Sequence, residues 1–370
     1  MIILRYLSKE VINSLLFVVI ILLFIFVSNQ FVRYLADAAS GQLLAGVLPR
    51  LMLLYIPYLL AFLLPLGLFL GILLTYGRFY NDNEMYALMS CGMTQRQLIL
   101  ITLKIAILMS LIVSFLTLWL DPRLLIYRNH IMAESRGANI IQTLQEGRFQ
   151  SDSSGRQVYY IETLSRDHEQ LNNIFVAQQK KNEPDFWDVI SASGGYAIPD
   201  QKTQDKFLVA TEGFRYSGKP GEVDFYIGQF EKYGLRIVSK SAPVRSQLEG
   251  VSFSELLHEM KLNNVLAYAE FQWRFAMPVA TILLALLAIP LSVLRPRQGR
   301  FAKILPALLI FTVYANMLFV ARHWVEQGDI PPSLGIWSVH AAMLLLIFIL
   351  LMDLPRLWRT RKKMFKRFIA

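Results

Sequence analysis

Long apolar runs without charge occupy both ends of the chain and leave a polar stretch between them. A helix needs about 20 apolar residues to cross a bilayer. Five uncharged runs approach or exceed that length, at residues 11–32, 51–77, 275–294, 304–321 and 333–352. A sixth run, residues 98–120, carries only Lys104, whose long side chain can reach the membrane interface from near the start of the run. The pattern predicts six transmembrane helices, three before and three after a polar insert.

The insert, residues 121–269, has a different period. Alternating apolar and polar residues occur at 157–163, 173–179, 207–211 and 223–230, and stretches rich in Gly and Ser separate them at 153–155, 193–195 and 217–221. Short strands divided by turns are typical of a sandwich, a barrel or a jelly roll. A helix is expected at 253–262, with Ser252 or Ser254 as its N-cap. The predicted fold class is an α-helical membrane domain of six transmembrane helices with an inserted all-β domain.

The distribution of charge predicts the orientation in the membrane. The chain is 55% hydrophobic and 17% charged, yet its formal net charge is +10. With a cytoplasmic N-terminus, fifteen Lys and Arg fall in the cytoplasmic loops and ends, against three in the short outer loops. Cytoplasmic loops carry the excess of Lys and Arg in membrane proteins, so both termini are predicted to be cytoplasmic and the insert to lie outside. Because topology explains the charge, no nucleic-acid partner is expected.

Catalytic motifs begin in this sequence but are not completed. Residues 213–219 match the start of a phosphate-binding loop, but Pro220 follows where a Ser or Thr hydroxyl would hold Mg²⁺. His258 and Glu259 begin a zinc motif whose second histidine is replaced by Leu262. Cys91 is the only cysteine. The sequence therefore predicts a non-enzymatic chain that needs no metal or other cofactor.

The first cytoplasmic loop has the pattern of a short helix near residues 81–92. Asp82 or Asn83 can cap it, and Glu84 lies in its first turn, where a carboxylate interacts favourably with the helix dipole. An apolar face with helical spacing is formed by Met85, Leu88 and Met89, and Gly92 ends the helix. Such a helix either docks a partner protein or merely connects two spans along the membrane surface. The second basic loop, which ends at Arg300, is either part of the same docking region or a plain cytoplasmic anchor.

Three arginines lie at the outer ends of predicted spans, where cations are not expected. Arg33 follows the first span, Arg274 precedes the fourth and Arg322 follows the fifth. A guanidinium can bind a phosphate through two parallel hydrogen bonds. The alternative is pairing with lipid headgroups or with a nearby carboxylate, for which the candidates are Asp37, Asp121, Glu270 and Glu326.

Polar and flexible residues mark the first, fifth and sixth spans. Gln30 lies near the outer end of the first span, and Tyr314 and Met317 lie in the fifth. Polar groups within a bilayer favour contact with protein or substrate over bulk lipid. His340, within the sixth span, is either a functional group or a buried neutral histidine bonded to a neighbouring helix.

Several of these segments together resemble a known family. Residues 1–7, Asn83-Glu84, the turn Cys91-Gly92-Met93-Thr94 and the loop 296–300 are similar to the LptF/LptG permeases of lipopolysaccharide export, and most like the LptF branch. The resemblance extends over the whole chain. It implies a permease subunit of an ABC transporter that extracts lipopolysaccharide from the inner membrane and passes it to a periplasmic bridge. The rival interpretation is a membrane scaffold or adaptor of an envelope complex that transports nothing.

The resemblance also implies partners, boundaries and residue roles. The partners would be an LptG-like permease, two copies of an LptB-like ATPase, an LptC-like single-span protein and an LptA-like bridge. The expected segments are spans 1–3 at 1–120, a periplasmic β-jellyroll-like domain at 121–269, spans 4–6 at 270–354 and a basic tail at 355–370. Expected ATPase-coupling residues are Glu84, Met85, Leu88, Met89 and Arg300. Expected lipopolysaccharide-binding residues are Arg33, Gln30, Arg274, Tyr314, Met317 and Arg322, and a β-domain groove is expected at Tyr160, Phe175 and Phe225.

Overall fold

The structure is a computed structural model that describes residues 2–39, 43–138, 146–151, 156–165, 170–180, 183–199, 206–222, 224–236, 248–293 and 303–369. Arg300 lies outside these ranges. By contacts the chain divides into two compact units. One comprises Met1–Asn29, Leu53–Ile126 and Pro243–Ala370, and the other comprises Gln30–Met52 and Tyr127–Ala242.

Helices account for most of the described residues. In chain order they are α1 (Ile2–Ala39), α2 (Leu48–Asn81), α3 (Glu84–Ser90), α4 (Gln95–Phe115), α5 (Asp121–Ala138), α6 (Phe253–Lys261), α7 (Val265–Ser292), α8 (Ile304–Gln327) and α9 (Gly335–Ile369). A 3-10 turn, Ala45–Val47, precedes α2, and a π-helical turn, Leu116–Leu120, joins α4 to α5. Six stretches of helix are long and apolar enough to span a membrane, which confirms the six predicted spans. Helix α5 continues the third span into the predicted insert.

Helices α1 and α2 approach each other closely at two glycines. Gly67 and Gly71 are four residues apart on α2 and face α1. A Cβ atom at Gly71 would lie 2.9 Å from the backbone nitrogen of Leu15, and one at Gly67 would lie 2.3 Å from Cγ2 of Val19. Small residues at this spacing let helix backbones pack tightly in membranes, where association depends on packing. The two glycines therefore fix α1 against α2 along the first part of α1.

Helix α7 is the centre of the helical unit. It packs against α4, α8 and α9 and carries buried small residues at Ala276, Ala280, Ala285 and Ala288. The hydroxyl of Ser110 on α4 donates to the carbonyl of Pro278 at 2.9 Å. The Oε1 atom of Gln272 accepts a hydrogen bond from the backbone N–H of Ile336, in the first turn of α9, at 3.0 Å. Close packing and these hydrogen bonds hold the helices around α7.

The insert forms one antiparallel sheet among the described residues. Its strands are β1 (Gln150–Ser151), β2 (Gln157–Leu164), β3 (Gln170–Lys180), β4 (Glu183–Pro199), β5 (Lys206–Gly218) and β6 (Phe225–Arg236). The six strands pair in sequence order, as a meander. The inserted all-β domain is thus confirmed, and these strands follow one another without the crossed connections of a Greek key. Helix α6 confirms the helix predicted at 253–262, and Ser252 caps it in a box with Glu255.

The two faces of the sheet differ in burial. One face holds a buried cluster that includes Ile161, Ile174, Val176 and Ile190. The same face carries a partly buried ion pair, in which Nη2 of Arg215 donates to both oxygens of Asp188, at 2.9 and 3.0 Å. Burial lowers the pKa of Arg215, but the hydrogen bonds and charge of Asp188 outweigh this effect and leave that pKa raised. The opposite face carries aromatic side chains that are partly exposed.

Candidate functional site

Helix α3 forms at the predicted place, but its N-cap works differently from the prediction. Asn83 is the N-cap residue, and its backbone is left-handed at φ 64°. Its side chain makes no capping hydrogen bond, so the chain reversal after α2 comes from backbone conformation. Asparagine is among the few non-glycine residues that tolerate this region. Glu84 follows in the first turn, as predicted.

The apolar face of α3 is turned toward the helical unit. Met85 is fully buried, and Leu88 and Met89 pack against the same hydrophobic cluster. These three side chains therefore attach α3 to its own bundle, although Leu88 and Met89 are only partly buried. The solvent-accessible surface of α3 and its flanking residues includes the half-buried Glu84 and the exposed Asp82, Ala87, Ser90 and Cys91.

Two polar contacts that the sequence analysis missed link α1 to the end of α2 and to the start of α3. The hydroxyl of Tyr6 donates to Oε2 of Glu84 at 3.1 Å, and the Tyr6 ring stacks on Phe79 with centroids 5.6 Å apart. One turn further along α1, Glu10 accepts a hydrogen bond from Nη2 of Arg78 at 2.6 Å. Tyr6 and Glu10 lie four residues apart, so the shared helix face was visible in the sequence, but its partners were not.

The turn between α3 and α4 has a fixed geometry. Gly92 has φ 95°. The N–H of Met93 donates to the carbonyl of Leu88 at 3.1 Å, and the N–H of Gly92 to that of Met89 at 3.1 Å. This is a Schellman motif, which ends a helix through a left-handed residue. Thr94 then caps α4 in a reciprocal box with Gln97. The segment that carried the family resemblance therefore sets the angle between α3 and α4.

Near the N-terminal end of α7, two predicted lipid-binding arginines form a buried network with glutamates. Nη2 of Arg322 donates to Glu270 at 3.0 Å, and Nε donates to Glu326 at 2.8 Å. Nε of Arg274 donates to the same Glu270 at 2.9 Å. Both arginine side chains and Glu270 are at most 7% exposed. The structure thus shows the carboxylate pairing that the sequence analysis had left open as an alternative to phosphate.

The network also holds the segment that leads into α6. Nη2 of Arg274 lies within 3.2 Å of the carbonyl oxygens of Leu248, Glu249 and Val251. Nη2 of Arg322 also donates to the side chain of Glu249 at 3.0 Å, and its guanidinium lies over the ring of Trp273 at 4.8 Å. In the described part of the chain, Nη1 of Arg274 is the one guanidinium nitrogen of this network that is buried without a hydrogen-bond partner. Arg274 and Arg322 therefore form hydrogen bonds and ion pairs with the backbone and carboxylates of their own chain.

The remaining predicted lipid-binding residues differ in exposure. Tyr314 is buried, and its hydroxyl lies 2.7 Å from Nδ1 of His340, so this pair bridges α8 and α9. Met317 is 49% exposed on the other side of α8. On α1, Arg33 is exposed and Gln30 is half-buried. The Arg33 guanidinium has no ion-pair partner among the residues that the structure describes.

The predicted groove residues share one face of the sheet. Tyr160 pairs directly with Phe175 across strands β2 and β3, and the ring of Phe149 lies 4.7 Å from the ring of Tyr160. Phe225 pairs with Gly218, which pairs with Trp187, and alternation along the strands puts these residues on the same face as Phe175. This is the face opposite the buried cluster. Exposed members of the apolar surface are Phe149, Phe214, Tyr216, Phe225 and Ile227.

No group of three or more His, Cys, Asp or Glu among the described residues could hold a metal ion. The candidate sites therefore consist of the packed helix α3, the arginine–glutamate ion pairs and the exposed apolar face of the sheet. Six helices able to span a membrane, with a β domain inserted after the third, define a multi-pass membrane protein.

Comparison with known proteins gives the family. Residues 5–353 match the family model of the lipopolysaccharide export system permease LptF/LptG, and the chain belongs to this family. It is 28% identical over 360 residues to the lipopolysaccharide export system permease protein LptF of Escherichia coli strain K12, which covers 97% of this chain and 96% of that protein. The LptF protein of Shigella flexneri is similar to the same extent. The chain is therefore a multi-pass inner-membrane protein of a lipopolysaccharide export permease family.

Proposed function

We propose that this chain is the non-catalytic permease subunit of an ABC transporter that extracts lipopolysaccharide from the inner membrane and passes it to a periplasmic bridge. It pairs with an LptG-like permease, and two LptB-like ATPases hydrolyse ATP for the complex. An LptC-like single-span protein and an LptA-like bridge receive the lipid. The observation that carries the proposal is α3, a short helix packed on the bundle through Met85 with Glu84 half-buried at its start.

The ATPase docks on α3 in this proposal. A helix of seven residues held by a fully buried side chain moves with the bundle. Because Met85, Leu88 and Met89 face inward, they position α3, and the contact to the ATPase falls to Glu84 and the exposed positions beside it. A carboxylate at a helix N-terminus is well placed to receive a cation from a partner. Arg300 adds a positive charge to the same cytoplasmic side.

The orientation follows from the same assignment. Helix α3 connects the second and third spans, so docking of a cytoplasmic ATPase puts both termini in the cytoplasm and the sheet in the periplasm. The excess of Lys and Arg in the cytoplasmic loops and ends supports this orientation.

Lipid binding falls to the exposed groups on α1 and α8. Beyond Val19, the side chains of Phe24, Ile25 and Phe31 on α1 are exposed, as is Met317 on α8. Such surfaces suit acyl chains or a partner helix in the membrane. Arg33 follows the apolar stretch of α1 and is exposed, and a guanidinium there can bind a lipid phosphate. Arg322 and Tyr314 connect α8 to α7 and α9, and Arg274 shares Glu270 with Arg322.

The apolar face of the sheet provides the onward path. The surface around Tyr160, Phe175 and Phe225 is aromatic and partly exposed, and exposed apolar patches of this kind mark ligand or partner contacts. Acyl chains carried along this face would stay out of water.

The direct test of the proposal is the substitution Glu84→Ala in the complex with its permease and ATPase partners. We expect the amount of lipopolysaccharide released per ATP hydrolysed to fall, because the carboxylate that takes up the motion of the ATPase is lost. Asp82→Ala is the matched control, since Asp82 is an exposed acid two residues before Glu84. Normal assembly and export by Glu84→Ala would overturn the coupling role.

The scaffold interpretation predicts a different outcome for the lipid. A scaffold would not need lipid bound to its spans, whereas a permease would retain it. Native mass spectrometry of the purified complex distinguishes the two, because lipopolysaccharide bound in defined stoichiometry supports the permease and its absence supports the scaffold.

A further inference from the structure

We propose that Tyr6 is a positioning residue for the coupling step: its hydroxyl holds the Glu84 carboxylate and transmits displacement of α3 directly to α1. This inference rests on the proposed function, since it concerns how the motion of an ATPase enters the membrane helices. In this inference, α1 is the first membrane helix displaced when the ATPase moves α3.

The contact has two parts that constrain each other. The Tyr6 hydroxyl donates to Oε2 of Glu84 at 3.1 Å, and the Tyr6 ring stacks on Phe79 at the end of α2. The Tyr6 side chain is 41% exposed, and stacking of its ring on the buried Phe79 orients the hydroxyl toward Glu84. A hydrogen bond to a charged acceptor is stronger than one between neutral groups. The carboxylate is therefore held toward α1 while it remains half-buried and within reach of a partner.

Helix α1 is attached to α2 between Glu10 and Val19. Glu10 accepts from Arg78, and Ser14 accepts from the hydroxyl of Thr75 at 2.8 Å. The next contacts are the close approaches of Leu15 to Gly71 and of Val19 to Gly67. The attached residues of α1 recur about every four positions, so they lie on one helix face. A displacement at Tyr6 is consequently passed along a rigid pair of helices for about three turns.

Just beyond Val19 several large apolar side chains of α1 are exposed, although Tyr34 further along the helix is buried. Ile20, Phe24 and Ile25 all have more than half of their surface accessible. This part of α1 is free to change its contacts when its attached part moves. The arrangement gives α1 a segment attached to α2 next to the coupling helix, followed by a segment whose apolar side chains Ile20, Phe24 and Ile25 are exposed, where the lipid is proposed to bind.

The test compares Tyr6→Phe with Tyr76→Phe in the full complex. Tyr6→Phe removes one hydroxyl and keeps the stacked ring. Tyr76→Phe removes a buried hydroxyl bonded to Thr102 between α2 and α4, which tests the general effect of losing such a group. We expect Tyr6→Phe to lower lipopolysaccharide release per ATP hydrolysed by about three- to tenfold, in line with the loss of one solvent-exposed hydrogen bond, with assembly unchanged. We expect Tyr76→Phe to leave that ratio unaltered.

A double-mutant cycle with Glu84→Gln decides whether Tyr6 acts through Glu84. If it does, the double variant loses no more coupling than Glu84→Gln alone. Additive losses of coupling would overturn the inference, because Tyr6 would then act independently of Glu84. Failure of the Tyr6→Phe complex to assemble would also overturn it, because the residue would then have a structural role. Normal coupling by Tyr6→Phe beside a defect in Glu84→Gln would overturn this inference alone. Normal coupling by both variants would overturn the proposed function as well.

Discussion

Arg322 on α8 and Glu270 on α7 form an ion pair with 3.0 Å between Nη2 and Oε2, and neither side chain is more than 7% exposed. Glu270 also accepts from Arg274 on its own helix, so one carboxylate is shared by two guanidinium groups. Charges taken out of water are expensive unless each is paired and hydrogen-bonded. Here the pairing ties α7 and α8 together and also fixes the segment around Glu249. The network therefore joins α7, α8 and the segment around Glu249. Removal of one member should lower the free energy of unfolding, because a buried charge would lose its partner.

Arg322→Met tests this network. The substitution keeps an apolar stem but leaves Glu270 with Arg274 as its remaining cation and removes the bond to Glu326. Breaking a buried pair by removing one partner costs about 3–5 kcal/mol. We expect a lower midpoint of thermal unfolding for the purified protein in a lipid nanodisc, together with poor assembly.

Glu249→Gln is the matched control for the network. The Glu249 side chain is 34% exposed, so its bond to Arg322 is partly screened by solvent. A loss of about 1 kcal/mol or less is expected, as for other partly exposed pairs. Equal destabilisation by the two variants would show that burial does not determine the strength of the network.

Sequence patterns could predict the elements but only part of the site. The six spans were predictable because each is a long apolar run, and Glu84 was predictable as a first-turn residue because polar residues precede an apolar stripe. The stripe did not tell whether Met85 faces a partner or its own bundle, since both surfaces are apolar. Glu270 and Arg274 lie four residues apart, as do Arg322 and Glu326, and this spacing is a signal that favours pairing. The contact of Arg322 with Glu270 depends on how α7 meets α8, which no local pattern contains.

Gly92→Ala tests the turn after the coupling helix. With φ 95° and nothing within 4 Å of the position where a Cβ would lie, any effect comes from backbone conformation rather than from a clash. The left-handed region costs a residue with a side chain roughly 1–2 kcal/mol. We expect a small loss in stability and a larger fall in ATP-coupled export, because relief of the strain changes the angle of α3. Gly92→Asn should retain more export, since asparagine tolerates this conformation, and equal export by both variants would contradict the account.

Arg33→Glu tests the phosphate contact on α1. Reversal of the charge should repel a lipid phosphate, so we expect less photo-crosslinking of lipopolysaccharide to the purified complex. Arg33→Lys should give an intermediate yield, because a lysine keeps the charge but not the two parallel hydrogen bonds. Lys9→Glu, an equal charge reversal near the other end of α1, serves as the control. Unchanged crosslinking by Arg33→Glu would remove this residue from the lipid site.

The two faces of the sheet make the proposed lipid path testable at adjacent residues. Phe175 lies on the aromatic, partly exposed face, whereas its neighbour Val176 is 1% exposed in the buried cluster of the other face. A photoreactive phenylalanine analogue at position 175 should crosslink lipopolysaccharide during ATP-driven export, while the same analogue at position 176 should not. The pair keeps strand, depth and chemistry nearly constant and changes only the side of the sheet. Crosslinking at 176 alone would assign the acyl chains to the face of Ile161 and Ile190, and the aromatic face would then need another partner.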